Sequence, residues 1–261
     1  MQNELDGLIE ALLQEMPEYR LQAALWGTED RFRLFRALVN VRPPREASSS
    51  FLQRQDAYLQ TLAVDRGITD GERLAFDADG LCVWRGDITT LRCDAIVNAA
   101  NSAMLGCFCP NHGCIDNAIH TYAGVQLRLC CADIMTKQGY DEPTGRAKLT
   151  PAFNLPSRFV LHTVGPIVDN RVTAQDRALL ASCYQSCLDL AAQQALRTIA
   201  FCCISTGEYH FPSDKAAEIA VMTVRNHDAV KAKRLKVIFN VFKAQDERLY
   251  CGLLSHKSTR K

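Results

Sequence analysis

The chain has 261 residues, 48% of them hydrophobic, which suffices to fill one large core or two unequal ones. Lys and Arg number 30 against 29 Asp and Glu, a formal charge of +1, so the positive field that draws nucleic acid or anionic membranes is absent and neither is expected as a partner. No apolar run approaches the ~20 residues that span a bilayer, and Met1 to Glu10 carries acids where a secretory leader would be basic, so a soluble, cytoplasmic, monomeric protein is expected.

Most of the 12 cysteines sit in apolar runs such as Leu129-Cys130-Cys131-Ala132 and Phe201-Cys202-Cys203-Ile204, which reads as buried free thiols. Cys107, Cys109 and Cys114 differ, because they share a polar, proline-containing loop with His112.

Residues 1–75 read as a helical extension. Leu5, Leu8, Ile9, Leu12 and Leu13 recur at helical spacing, as do Phe32, Leu34, Phe35, Leu38 and Val39. Pro43-Pro44 ends the second helix, and Ser48-Ser49-Ser50 offers an N-cap to a third through Phe51, Leu52, Tyr58, Leu59 and Leu62. These helices are expected to cover an exposed sheet edge.

Over 76–256 short apolar runs alternate with helical stretches. The expected strands are Leu81 to Trp84, Ala95 to Val97, Phe159 to Thr163, Thr198 to Cys203 and Lys236 to Phe242. The expected helices are Ile115 to Asp133, Ala174 to Ala195, Ser213 to Val230 and Gln245 to Ser255, with a frayed basic tail from Lys257 to Lys261. This alternation predicts an α/β fold with a mixed or parallel sheet covered on both faces. Ligands of such sheets bind beyond the strand C-termini, where Gly86-Asp87-Ile88-Thr89, Asn98-Ala99-Ala100-Asn101-Ser102 and Ser205-Thr206-Gly207-Glu208 fall.

Cys107, His112 and Cys114 place two thiols and an imidazole within eight residues, donors that zinc prefers, and three ligands leave one tetrahedral position open. Cys109 could close that position and make the site structural. Asp116, or its neighbour Asn117, reads as an N-cap of the following helix, and Asp116 reads alternatively as a carboxylate that orients water or steadies positive charge on a sugar. Ser205-Thr206-Gly207-Glu208-Tyr209-His210-Phe211-Pro212 leaves a strand and enters a helix, where backbone N–H groups can meet a phosphate; a plain connection capped by Ser213 would look similar. His162 reads as a core histidine paired through its ring nitrogens rather than a ligand, and His120 and His210 are read with the same caution.

Asn98-Ala99-Ala100-Asn101-Ser102, Leu155-Pro156 with His162-Thr163-Val164-Gly165-Pro166, and Ser205-Thr206-Gly207 with Phe211-Pro212 resemble macrodomain signatures, in order. Met104-Leu105-Gly106-Cys107, His112 and Cys114-Ile115-Asp116-Asn117-Ala118-Ile119-His120 resemble the zinc-dependent macrodomains of microbes, which share the helical extension. The resemblance implies a three-layer α/β/α fold, one Zn2+ on Cys107, His112 and Cys114, and hydrolysis of mono-ADP-ribose from protein side chains, releasing ADP-ribose. A non-catalytic ADP-ribose reader and an O-acyl-ADP-ribose esterase are the rival readings. Carried over by position, Asp87 and Ile88 would meet the adenine with Asn240 and Phe242 beside it. Ser205, Thr206, Gly207, Glu208 and Tyr209 would wrap the diphosphate. Asn101 and Asp116 would serve catalysis at the distal ribose, flanked by Cys114, Ile115 and Asn117.

Overall fold

The computed structural model describes residues 2–255, so the basic tail lies outside the described residues. Its six-stranded sheet comprises β1 (Leu81–Arg85), β2 (Ala95–Ala100), β3 (Ala147–Pro151), β4 (Phe159–Val164), β5 (Thr198–Phe201) and β6 (Lys236–Val241). Their order is β1-β6-β5-β2-β4-β3, parallel throughout except for β3 against β4. This is the expected α/β sandwich. The strands are apolar on both faces because helices cover both: Ile96, Val97, Val160, Leu161, Ile199 and Val237 are fully buried. The helices longer than four residues are α1 (Gln2–Glu15), α2 (Arg31–Val41), α3 (Ser49–Asp65), α4 (Ile115–Ala123), α5 (Val125–Gln138), α6 (Ala174–Gln193), α7 (Ser213–Asn226) and α8 (Ala244–Ser255). No described helix is long and apolar enough to cross a membrane.

Several boundaries depart from expectation. The helix predicted from Ile115 to Asp133 is two, because Gly124 at φ 95° cannot continue an α-helix. The one predicted from Ser213 to Val230 breaks at His227, whose backbone is extended, and Asp228–Lys231 forms a separate turn. Strand β3, with Lys148 and Pro151 within it, gave no apolar signal; it is an antiparallel edge strand, where proline is tolerated. β2 runs to Ala100 rather than Val97, which puts Asn98 inside the sheet. β5 ends at Phe201 rather than Cys203. It pairs with β2 only at Ala95↔Ile199 and Ile96↔Ala200, and beyond those pairs the ladder stops, so the rim opens at the switch of strand order.

The N-terminal helices hold their own apolar cluster, with Leu8, Leu12, Phe35, Leu38, Phe51 and Leu59 inside it and Val125 of α5 joining it. Burial of each large side chain contributes about 2 kcal/mol. Ser48 caps α3 by accepting the Phe51 N–H at 3.2 Å, as anticipated. The sheet-edge role is not what the structure shows: the side-chain bonds leaving these helices reach α4, α5, the loop before α4, Asn154 and the turn after β1. Gln55 accepts the Val125 N–H at 3.0 Å, which satisfies an orphan donor at the start of α5.

Candidate functional site

The five parallel strands end on one rim, and two loops face each other there. The first runs from Asn101 to Cys114. Asn101 donates to the Gly106 carbonyl at 3.1 Å, and Met104 N–H donates back to the Asn101 carbonyl at 3.0 Å. Gly106 sits at φ 79°, where a Cβ would lie 2.7 Å from the His120 ring, so only glycine allows this approach. The donor atoms of Cys107, His112 and Cys114 then lie within 4.8 Å of one another. Cys109 is exposed and outside that group. His112 Nδ1 is buried with no partner, and Nε2 lies 3.6 Å from the Glu208 carboxylate. Burial pushes the Cys114 thiol up to about 12, opposed by the Asn117 N–H and reinforced by Cys107 and Asp116. Two thiols, an imidazole with an unpartnered buried nitrogen, and spacing within reach of one ion fit a tetrahedral soft-donor cation, which itself drives such thiols to ionise.

Cys114 also caps α4, its sulfur accepting the Asn117 N–H at 3.4 Å, so neither Asp116 nor Asn117 is the N-cap. Asp116 instead sits in the first turn, 5% exposed, accepting from Asn98 Nδ2 at 2.7 Å, with His120 Nε2 at 3.6 Å. Burial raises its carboxyl to about 6, against the Asn98 hydrogen bond and the Arg128 charge. Asn98 also lies 3.2 Å from His162 Nδ1, and Thr150 Oγ1 lies 2.9 Å from Nε2. His162 is therefore a partnered core histidine, held down to about 3 by burial. His120, Cys131 and His162 form a second donor group that sequence spacing does not suggest, although both His162 nitrogens are engaged.

The second loop, 205–212, carries Ser205 at φ 64° and His210 at φ 55°. Phe211 N–H closes on the Ser205 carbonyl at 2.9 Å and His210 N–H on that of Gly207 at 3.0 Å. Among the described residues the N–H groups of Gly207, Glu208 and Tyr209 meet no acceptor, which leaves three backbone donors available ahead of α7. The N-cap of α7 is Pro212, without a side-chain cap; the Ser213 cap of a plain connection is not formed. Burial raises the Tyr209 hydroxyl, and the Asp116 and Cys114 charges add to it, as facing loops require.

The Macro domain family model matches residues 97–220. A relative from Treponema medium, named protein-ADP-ribose hydrolase, is 54% identical over 252 residues, covering 95% of this chain and 97% of its own. This chain belongs to the macrodomain family. A relative of the same name from Staphylococcus aureus strain MRSA252 is 52% identical, covering 85% of this chain and 84% of its own. Among solved structures, the Oceanobacillus iheyensis macrodomain with ADP matches at TM-score 0.61 and 37% identity, covering 67% of this chain and 90% of that one. The Trypanosoma brucei macrodomain in complex with ADP-ribose matches at 0.64 and 30%, covering 84% and 94%.

Within this macrodomain the structure gathers Asn101, Cys107, His112, Cys114, Ile115, Asp116 and the 205–209 segment at one rim, and Asp87, Ile88 and Phe242 at the β1–β6 end. Asp87 accepts Thr89 N–H at 2.9 Å and is ion-paired with Arg66 of the extension. Phe242 is 78% exposed. Two predicted contacts are engaged elsewhere. Asn117 accepts both Nε and Nη2 of Arg36, and Asn240 donates to the Gly86 carbonyl at 2.9 Å, tying β6 to β1. Sequence reading missed Arg36, Asn40, Arg66, Arg128 and the bond from Asn98 to Asp116. Partners 18 to 89 residues apart leave no spacing signal.

Proposed function

We propose that this macrodomain hydrolyses the bond between mono-ADP-ribose and a modified protein side chain, with one Zn2+ held by Cys107, His112 and Cys114. The observation that carries the reading is the buried Asp116 carboxylate, two residues from Cys114 of the three-donor loop and close enough to Tyr209 of the facing loop for its charge to be felt there. The activity named for the relatives above supports it. Residues 76–256 form the catalytic unit in this reading, and 1–75 the extension.

Asp87 accepts from the adenine amino group, Ile88 meets the ring through its backbone, and Phe242 covers it. The N–H groups of Gly207, Glu208 and Tyr209 hold the diphosphate, where backbone donors and the α7 dipole favour an anion. Asn101 fixes the distal ribose. Cleavage at the anomeric carbon develops oxocarbenium-like charge, and Asp116, ionised above about pH 6, stabilises it from a dry site where electrostatics are strong. Zn2+ held by Cys107, His112 and Cys114 would supply a Lewis acid to the reaction. Cys109 lies outside the donor group, which favours an open metal position and hence an enzyme over a reader.

The test is release of free ADP-ribose from a mono-ADP-ribosylated acceptor, with metal analysis of the same sample, before and after chelation and on return of Zn2+. Release that stops on chelation and returns with the metal is expected. Full activity in chelated, zinc-free protein would defeat the metal role, and no release under any condition would leave a reader.

A further inference from the structure

Arg36 belongs to α2, outside the sheet unit that carries the pocket, yet its guanidinium reaches into the metal loop. Nε and Nη2 donate to Asn117 Oδ1 at 2.9 and 2.7 Å, and Nη2 donates also to the His112 carbonyl at 2.8 Å. One side chain thus grips the backbone of the imidazole donor and the residue beside Asp116. No carboxylate lies within ion-pair distance of Arg36 among the described residues, so these neutral oxygens are its partners. Asn117 passes the grip onward, its Nδ2 donating to the Cys109 carbonyl at 2.9 Å and its N–H to Cys114 Sγ at 3.4 Å.

Asn40, one turn along α2, supports the same loop. Its Oδ1 accepts the N–H of Asn111 at 2.9 Å, and its Nδ2 donates to Thr121 Oγ1 at 3.1 Å. Asn111 has φ 55°, a left-handed conformation that asparagine adopts more readily than most residues, and the bond from Asn40 holds it there. Arg128 fastens α2 in turn: Nη1 donates to the carbonyls of Val39, Asn40 and Arg42 at 3.0, 2.8 and 2.5 Å, and Nε to that of Leu105 at 2.7 Å. The packing face of α2 is Leu34, Phe35, Leu38 and Val39, and Arg36 is not part of it.

We infer that Arg36 is a positioning residue for the metal donors, so that the N-terminal extension is a working part of the active site. This rests on the metal reading above. A donor trio on an eight-residue loop has no secondary structure of its own to set its geometry, and outer partners that orient metal ligands do so through such hydrogen bonds.

The test uses the full chain. Zn2+ affinity is measured by competition with a chromogenic chelator, and the absorption spectrum of the Co2+-substituted protein reports ligand geometry, for wild type, Arg36→Met and Arg36→Lys. Arg36→Met is expected to bind zinc ~10-fold or more weakly, the range for outer partners of metal ligands, with an altered Co2+ spectrum. The unfolding midpoint of the zinc-free protein is measured beside it. Should Arg36→Met fail to fold, Arg36→Lys decides, because it keeps the charge but replaces the planar fork with a single donor nitrogen: an intermediate affinity supports the inference and wild-type affinity overturns it. Wild-type affinity and spectrum in Arg36→Met likewise overturn it. A wild-type protein that binds no zinc defeats the metal reading itself, and the inference with it.

Discussion

The imidazole of His112 lies 3.6 Å from the carboxylate of Glu208, so the 101–114 loop and the 205–212 loop meet at the rim of the sheet. Glu208 is 68% exposed, and an ion pair so placed contributes little to stability. With zinc on His112, as proposed above, its use would be orientation, since a carboxylate near one ring nitrogen can aim the other. Glu208→Ala is expected to weaken zinc binding by up to ~10-fold, the low end for such partners. The affinity for ADP-ribose should hold, because the donors at 207–209 are backbone. Chelator competition and calorimetry with ADP-ribose measure the two; unchanged zinc affinity counts against the orienting role.

Asp116→Asn keeps the shape that receives the Asn98 hydrogen bond and removes the charge. Loss of charge stabilisation in a dry site costs on the order of 100-fold in rate, so kcat should fall by that much while ADP-ribose still binds. Stability should move the other way. The folded carboxyl titrates near 6, above its ordinary 3.8, so the stability it lends is complete below 3.8 and lost as pH rises through 6. A neutral amide escapes that loss, and chelated Asp116→Asn should unfold at or above the wild-type midpoint at pH 8. A variant that retained wild-type kcat would remove Asp116 from the chemistry.

The donor spacing of Cys107, His112 and Cys114 was legible because all three lie on one short loop. The alternation of strands and helices was legible because burial on both faces demands apolar runs. Asp116 was visible as a residue, but its environment was not, since Asn98 and His162 come from neighbouring strands. Asn98 itself looked like loop, because a polar residue within a buried strand breaks the pattern unless its partners are known. The links of Arg36 and Arg66 are tertiary, and periodicity within a helix says nothing of what its polar face meets.

Arg66 ties the end of the N-terminal helices to the turn that carries Asp87 and Thr89. Its guanidinium is ion-paired with Asp87, donates to Thr89 Oγ1 at 3.0 Å and lies 3.8 Å over the Tyr122 ring. This keeps the Asp87 carboxylate in one orientation. Arg66→Met should raise KM about 10-fold, the worth of roughly one charge-assisted hydrogen bond, and leave kcat unchanged, because the chemistry is at the far ribose. Parallel falls in kcat would mean that Arg66 acts on the whole site instead.

Gly106→Ala tests the loop backbone. A Cβ there would press on the His120 ring at a φ that L-residues avoid, for on the order of 1–3 kcal/mol of strain. The loop is expected to shift, with zinc affinity and hydrolysis falling together. An alanine variant with wild-type zinc affinity would show that the loop tolerates displacement.

Acid should loosen the core beneath the site. His162 titrates near 3 when folded, below its ordinary 6.5, because burial disfavours the imidazolium. The unfolded chain therefore takes up the proton first, and stability complete above 6.5 is lost as pH falls toward 3. His120 is lowered too, chiefly by burial. Asp116 opposes them over part of the range, since its protonation favours the fold as pH drops through 6. Two histidines outweigh one carboxyl, and each costs ~1.4 kcal/mol per pH unit within its window. The urea midpoint of chelated protein should decline from pH 7 to pH 4, and His162→Gln, lower at neutral pH for its lost packing, should decline less steeply. Equal slopes would place the acid sensitivity elsewhere in the fold.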